Sequence, residues 1–152
     1  MRTTIHVELD TDVSPEVIRE ALLDFTDRRL DLWSQLDPDT YQVHWVHETS
    51  AEVTEGSPRP KVWSRELYDW SHPTKITWTA VESNFCAPGS HIAMDITPLD
   101  DGGSHVAVTW DRSPSNLKGR IVTMGAAIGG SRLLTWATRR SLAEIGQKLN
   151  AD

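Results

Sequence analysis

The stretch ITWTAVESNFCAPGSHIAMDITPLDDGGSHVAVTWDR, residues 76 to 112, decides the fold because apolar and polar side chains alternate along most of it. A period of two is typical of half-buried β-strands. Residues that favour turns interrupt the alternation twice, in NFCAPGS and in LDDGGS. The stretch therefore predicts three antiparallel strands joined by two hairpins.

The alternation also predicts how these strands pair. If Ser83 faces His91 and Thr97 faces His105, the apolar side chains of all three strands share one face of the sheet. That face would consist of Trp78, Ala80, Ile92, Met94, Ile96, Val106, Val108 and Trp110. The opposite face is polar, so the sheet needs a cover on one side only.

The chain before this stretch predicts one more strand, two short helices and two further strand regions. Residues 3 to 10 alternate as a strand, and Ser14 followed by Pro15 provides the N-cap and first residue of a helix. A second helix is expected over residues 27 to 36. From Tyr41 the period of two returns, with Trp45 expected on the same face as Val53. The sheet would then have six to seven strands.

A long C-terminal helix is expected to cover the apolar face. Two runs of residues there follow helical spacing. The first is Leu117, Ile121, Met124 and Ile128, and the second is Thr135, Thr138, Leu142, Ile145 and Leu149. Gly129 and Gly130 between the two runs predict a break or kink.

Length and composition limit the class of protein. With 152 residues and one cysteine, the chain is expected to form a single domain over residues 1–152 without a disulfide. The N-terminus shows no signal-peptide pattern, and no run approaches the ~20 apolar residues of a membrane span. We therefore expect a cytoplasmic protein with no integral membrane association, as a monomer or homodimer.

Charge is unevenly distributed along a chain whose net charge is −7. Residues 115 to 152 carry six Lys or Arg against two acidic residues, whereas residues 1 to 114 carry nine basic and twenty acidic residues. An acidic body argues against nucleic acid as a partner. The basic C-terminal segment fits a solvated helix face better than contact with the acidic body or with an anionic surface.

The order of elements resembles the helix-grip fold of the START-like superfamily, an α+β fold that includes polyketide cyclases/dehydrases and bacterial SRPBCC proteins. The segments VWSRELYDWSHP, ITWTAVES, PGS and PLDDGGSHVAVTWDR, followed by LKGR, are similar to the actinobacterial polyketide-cyclase-like branch. The resemblance covers essentially the whole chain. It implies a curved sheet around the C-terminal helix, with a cavity between them for an apolar small molecule.

Seven tryptophans in a chain of this length indicate either a solid aromatic core or an aromatic-lined pocket. We predict a pocket, because many large rings are hard to pack without leaving space. The residues expected to bind the ligand are Trp33, Trp45, Trp63, Leu67, Trp78, Ala80, Met94, Trp110 and Trp136.

Three polar groups are weaker candidates for chemistry. Arg65 and Glu82 are expected to face inward as a pair, where they would orient a ligand, serve catalysis or form an ion pair. Cys86 and His91 are interpreted as turn residues, since nothing in their surroundings indicates a thiolate. His44 and His47 form H-x-x-H on a strand, where neighbours at this spacing face opposite ways, so no metal is expected.

The primary functional hypothesis is non-covalent binding of a hydrophobic small molecule such as a lipid, sterol, polyketide or aromatic compound. The alternative is an enzyme, a polyketide cyclase/aromatase or dehydratase. A third possibility is an interaction module whose basic last helix contacts a partner protein. No cofactor is expected, because the chain has no glycine-rich phosphate loop.

Overall fold

The computed structural model describes residues 2–150, which contain seven strands and three helices. In chain order these are β1 (Thr3–Thr11), α1 (Pro15–Leu22), α2 (Arg29–Leu32), β2 (Gln42–Val46), β3 (Ser50–Pro58), β4 (Lys61–Asp69), β5 (Lys75–Ser83), β6 (His91–Pro98), β7 (Ser104–Arg112) and α3 (Leu117–Asn150). All strands form one antiparallel sheet in the order β1-β7-β6-β5-β4-β3-β2. The predicted α+β architecture is confirmed.

The hairpin between β6 and β7 has the predicted register, with Thr97 opposite His105. Between β5 and β6 the predicted register is wrong by four residues, because Thr79 rather than Ser83 lies opposite His91. Ser83 instead pairs with Ser64 of β4, and its hydroxyl accepts hydrogen bonds from the next turn. An even shift leaves Trp78, Ala80, Ile92 and Met94 on their predicted face. Glu82 departs from it, because an irregularity in the pairing of β4 with β5 separates Ala80 from Glu82 and puts Glu82 opposite Arg65.

In β4 and β2, which lie towards the other edge of the sheet, some side chains do not lie on the predicted face. Tyr68 lies opposite Trp78 on the inner face. Arg65 and Leu67, which are predicted to face the cavity, are therefore one residue out of step and lie on the opposite face of β4. In β2 a bulge between Val43 and Trp45 places Trp45 opposite Glu52, outside the core. Bulges of this kind redirect the side chains that follow them.

The two short helices are held together by a tryptophan. Ser14 caps α1 as predicted, its hydroxyl accepting a hydrogen bond from the Val17 amide at 3.3 Å. The second helix is shorter than predicted, and the indole of Trp33 at its end donates to the carbonyl of Ala21 at 3.0 Å. This bond satisfies a carbonyl in the last turn of α1 and fixes α2 beside it.

The C-terminal helix kinks at Gly130, as predicted, where φ is 58° and ψ is −151°. In residues 131–149 the predicted face is buried, with Leu142 and Ile145 inside the core. In residues 117–129 the predicted face is wrong. The run from Leu117 to Ile128 is exposed, and smaller residues, Val122, Thr123 and Ala126, turn inward instead.

The start of α3 is anchored to the loop between β5 and β6, which explains its rotation. Asn116 caps the helix by accepting from the Gly119 amide, and its side-chain amide donates to the carbonyl of Asn84. A Cβ added to Gly119 would lie 1.8 Å from the carbonyl oxygen of Phe85. Only a glycine allows this approach, so the Gly119 side of the helix faces inward.

None of the helices within residues 2–150 is long and apolar enough to cross a membrane.

Candidate functional site

A cavity of 440 Å³ lies between the concave face of the sheet and the segment that contains α1 and α2. Most of its lining is apolar or aromatic, including Leu22, Trp33, Trp63, Trp78, Phe85, Ile92, Met94 and Trp110. The expected position between the sheet and the C-terminal helix is wrong, since none of the described residues of α3 lines it. The first segment of α3 contacts the 84–86 loop instead.

One wall of the cavity carries a buried cluster built on Arg29. Its Nε donates to Glu55 at 2.8 Å, and its Nη2 donates to the Tyr68 hydroxyl at 3.0 Å. The Tyr68 hydroxyl in turn donates to Glu55. Burial raises the pKa of Tyr68 well above its ordinary value, and the Glu55 carboxylate raises it further. Tyr68 therefore remains a neutral hydrogen-bond donor in this cluster.

Arg29 also closes the end of α1. Its Nη1 donates to the carbonyls of Leu22 at 2.8 Å and Asp24 at 3.2 Å. Burial disfavours its charge, but Tyr68 and Glu55 outweigh this effect and leave the pKa of Arg29 above its ordinary value. The guanidinium of Arg29 thus donates to groups of the protein itself through all three of its nitrogens, so the cluster has a structural role.

A second buried cluster in the cavity wall joins Glu66 and Arg112. Arg112 Nη2 donates to Glu66 Oε1 at 2.9 Å, and Arg112 Nη1 lies 3.6 Å from the sulfur of Cys86. Ser64 Oγ also lies 3.6 Å from that sulfur. Burial raises the pKa of Glu66, while the adjacent Arg112 charge opposes the rise.

This second cluster has unused hydrogen-bonding capacity, unlike the first. Glu66 Oε2 and Arg112 Nε are both buried, and neither has a hydrogen-bond partner among the residues described. Buried polar atoms without partners are costly, and in native structures each calls for an explanation. One atom accepts and the other donates, so a hydroxyl group, which can do both, matches the pair.

Five of the nine predicted ligand-binding residues line the cavity. They come from the C-terminal end of α2 and from strands β4 to β7: Trp33, Trp63, Trp78, Met94 and Trp110. Trp78 stacks on Tyr68 with ring centroids 5.4 Å apart, which ties the aromatic lining to the Arg29 cluster. Their role in binding stays a prediction.

The structure places the other four away from the cavity. Trp45 lies on the outer face, where its indole donates to Glu52 at 3.1 Å. Leu67 faces outward with 37% of its surface exposed, and Trp136 on α3 is 58% exposed. Ala80 is buried, but in a separate small cluster with Phe85 and Cys86.

The predicted inward position of Arg65 and Glu82 is also wrong. The two residues do face each other, with Arg65 Nη2 3.5 Å from a carboxylate oxygen of Glu82, but both side chains are substantially exposed. Arg65 also lies 3.6 Å from Glu52. The shift in β4 register brings the neighbouring Glu66 and Tyr68 to the cavity in place of Arg65 and Leu67.

Cys86 and His91 are not brought together. Cys86 is buried beside Ser64 and Arg112, whereas His91 pairs with Asp111 across the strands and has its ring nitrogen 3.4 Å from the Gly89 carbonyl. The loop that carries Cys86 has a structural role, because it anchors the start of α3. In β2, His44 Nε2 lies 2.7 Å from Thr54 Oγ1, and the ring of His47 packs on Trp45.

Five polar residues of the lining are not among the ligand-binding residues predicted from the sequence: Arg29, Glu55, Glu66, Tyr68 and Arg112. A signal for two of them was present in the alternation. Glu55 continues the inward series of Ala51 and Val53 along β3, and Arg112 extends the series that ends at Trp110 along β7. A charged residue at an inward position is a candidate for function because its burial is costly.

Comparisons with known proteins support the fold assignment. Neither a family model nor a curated protein matches the sequence. Among solved structures, Zhui aromatase/cyclase from Streptomyces sp. R1128 aligns with a TM-score of 0.76 at 10% identity, covering 98% of this chain and 96% of that chain.

Two further structures align over nearly the whole chain. A START superfamily protein from Mycobacterium smegmatis has a TM-score of 0.68 at 12% identity, with 96% of this chain and 98% of that chain covered. Norcoclaurine synthase from Thalictrum flavum, in complex with dopamine and hydroxybenzaldehyde, has a TM-score of 0.67 at 11% identity, with 99% and 87% covered. The chain has a seven-stranded antiparallel sheet, two short helices after β1 and a long C-terminal helix. Together with these alignments, this architecture shows that the chain has the helix-grip fold of START-like proteins.

Proposed function

We propose that the chain binds a hydrophobic small molecule with one polar group, non-covalently, in the cavity beneath α1 and α2. The observation that carries the proposal is an aromatic-lined cavity of 440 Å³ whose lining residues Glu66 and Arg112 each have a buried polar atom without a hydrogen-bond partner among the residues described. This volume lies within the range of small-molecule sites, which combine apolar walls with a few placed polar groups.

The polar pair defines the ligand chemistry further. Glu66 Oε2 accepts a hydrogen bond and Arg112 Nε donates one, so a phenol or alcohol hydroxyl can satisfy both at once. A purely hydrocarbon ligand would leave both atoms unsatisfied and would bind more weakly. The fold similarity to norcoclaurine synthase in complex with two aromatic compounds is consistent with a cavity of this kind.

Affinity for 4-phenylphenol should exceed affinity for biphenyl by about tenfold or more, because a hydrogen bond to a charged group contributes roughly 1.5–3 kcal/mol. Displacement of the environment-sensitive dye ANS, followed by fluorescence, measures both affinities. Replacing Glu66 with Gln should reduce the preference, because a neutral amide accepts a weaker hydrogen bond than a carboxylate.

Tryptophan variants locate the binding site. We expect Trp78→Leu to weaken binding of both compounds, since Trp78 lines the cavity, and Trp136→Leu to leave it unchanged, since Trp136 is exposed on α3. Native mass spectrometry of the freshly purified protein would reveal a co-purified ligand. Absence of displacement by either compound, together with no co-purified mass, would contradict the proposal.

An enzymatic role is the second candidate, favoured by a specific observation. Glu66 is a buried carboxyl with a raised pKa next to Arg112, and both line the cavity. In a dehydration, the Glu66 carboxylate would remove the proton α to a carbonyl while Arg112 stabilises the enolate oxygen. The protonated Glu66 would then give this proton to the β-hydroxyl, which leaves as water as the enolate collapses to the double bond. The fold is that of Zhui aromatase/cyclase, although the 10% identity extends only to the fold.

For this second role we expect the chain to release water from a β-hydroxy ketone bound in the cavity, with turnover abolished in Glu66→Gln. Liquid chromatography with mass detection follows substrate and product. The exposed Glu82→Gln is the matched control and should retain full turnover, since Glu82 lies outside the cavity. Binding without any turnover would eliminate the enzymatic role and leave the binding role intact.

A further inference from the structure

The first segment of α3 exposes a row of large apolar side chains. We call Leu117, Ile121, Met124 and Ile128 the α3 stripe; their exposed fractions are 72%, 65%, 53% and 82%. Positions i, i+4, i+7 and i+11 fall on one face of a helix, so the four side chains form a single apolar strip. Contiguous exposed apolar surface of this kind marks an interaction site in many proteins.

The packing of the helix keeps the α3 stripe outward. Gly119 approaches the Phe85 carbonyl so closely that no side chain fits between them, and Thr123, one turn further, is fully buried. These residues occupy the opposite side of the helix from Ile121 and Met124. Turning the stripe inward would break the Asn116 cap and its bond to the Asn84 carbonyl.

The charged residues of α3 itself, from Leu117 to Ala143, all have one sign. Residues 117 to 143 contain five basic residues and no acidic residue, while the rest of the chain carries ten basic and 22 acidic residues. All five are exposed: Lys118, Arg120, Arg132, Arg139 and Arg140. Arg140 forms an ion pair with Glu144 at 3.5 Å, whereas Lys118 and Arg139 donate to backbone carbonyls and form no ion pair with the residues that the structure describes.

A second copy of the chain is a poor occupant for this surface. In a two-fold contact the same patch of each protomer meets its own copy. Five positive charges would then approach five positive charges across the apolar strip. An anionic bilayer surface has the opposite property, because it attracts Lys and Arg and accepts apolar side chains at the boundary of its headgroups.

We propose that residues 117–140 of α3 dock on the surface of an anionic lipid bilayer, with the α3 stripe inserted among the headgroups and the five basic residues on the lipid phosphates and carboxylates. Beyond the Gly130 kink, Trp136 is exposed and carries Arg140 over its ring at 5.4 Å. A tryptophan next to an arginine suits the interface between water and lipid. This proposal does not depend on the occupant of the cavity.

Vesicle flotation with the full chain tests the proposal. We expect binding to vesicles of phosphatidylcholine with phosphatidylserine to be about tenfold or more stronger than binding to pure phosphatidylcholine, and to weaken as salt is raised. Ile121→Ser combined with Ile128→Ser should abolish most of the binding. Val46→Ser is the matched control, because Val46 is a half-exposed apolar residue on β2, and it should bind as the unmodified chain does.

A charge variant provides a second, independent arm. Arg120→Gln combined with Arg132→Gln changes two exposed side chains and should reduce binding to the anionic vesicles by about tenfold while the thermal transition stays in place. Equal binding by the stripe variant, equal binding to neutral vesicles, or no binding at all would overturn the proposal. Sedimentation velocity tests the alternative occupant. If the unmodified chain self-associates and the stripe variant does not, the α3 stripe is a contact between copies of the chain and the proposal is overturned.

Discussion

Replacing Arg29 with Met is expected to destabilise the fold by about 3–5 kcal/mol, because it leaves Glu55 buried without its cationic partner. Arg29 is 3% exposed and the side chain of Glu55 is 9% exposed, so solvent can compensate neither. The carbonyls of Leu22 and Asp24 lose their donor as well. For a chain of this length the loss corresponds to a fall in melting temperature of roughly 10 °C.

The sequence offers a matched control for this substitution. Arg65 is a second arginine in ion pairs, with Glu52 at 3.6 Å and Glu82 at 3.5 Å, but its side chain is 38% exposed. Exposed ion pairs contribute at most about 1 kcal/mol, so Arg65→Met should have little effect on the same thermal transition. Equal losses for Arg29→Met and Arg65→Met would contradict the assignment of the Arg29 cluster as the structural one.

A double substitution separates charge from volume. Arg29→Met combined with Glu55→Leu removes both charges and should recover a large part of the stability lost in Arg29→Met alone, because an unpaired buried carboxylate costs more than a missing pair. Thermal unfolding followed by circular dichroism measures the stability of Arg29→Met, Arg65→Met and the double variant. If the double variant were less stable than Arg29→Met alone, the cost of burying the unpaired Glu55 carboxylate would not be the main cause of the lost stability.

Gly119→Ala is expected to destabilise the protein by about 2–3 kcal/mol, because an added methyl group would overlap the backbone carbonyl of Phe85 at 1.8 Å. A backbone atom cannot move aside as a flexible side chain can. Either the start of α3 or the 84–86 loop must shift, and the hydrogen bond from Asn116 to the Asn84 carbonyl would be strained.

Gly125→Ala in the same helix is the control and should have the opposite sign. A Cβ at Gly125 meets nothing within 4 Å, so the alanine avoids the entropic cost of a helical glycine and should add about 0.5–1 kcal/mol. Denaturant unfolding of the two variants gives both values. Similar stabilities for Gly119→Ala and Gly125→Ala would mean that α3 does not pack on the 84–86 loop as described.

The local parts of the fold were predictable because each depends on a short-range pattern. Alternation predicted the inner face of β5 to β7, the Ser14-Pro15 pair predicted the start of α1, and Gly130 predicted the kink. The residues of the site were harder to predict. Register between β4 and β5 depends on loop length, and a shift of one residue exchanged Arg65 and Leu67 for Glu66 and Tyr68 at the cavity.

The first segment of α3 shows why a helical pattern alone does not decide which face is buried. Its largest apolar residues follow the right spacing, and a rule based on hydrophobic periodicity turns them inward. In the structure the close approach of Gly119 to Phe85 controls the rotation instead. The energetic reason is steric, since small residues permit a contact between backbones that large residues would prevent.

The sequence by itself determined the order of elements, the antiparallel meander and the presence of an aromatic-rich inner face. Only the tertiary structure decided that the cavity holds Glu66 with Arg112 and that α3 presents an apolar, basic surface outward. The physical reason is that alternation and helical spacing are properties of neighbouring residues. A buried ion pair such as Arg112 with Glu66 forms between distant segments, and its cost or benefit depends on the contacts that folding brings together.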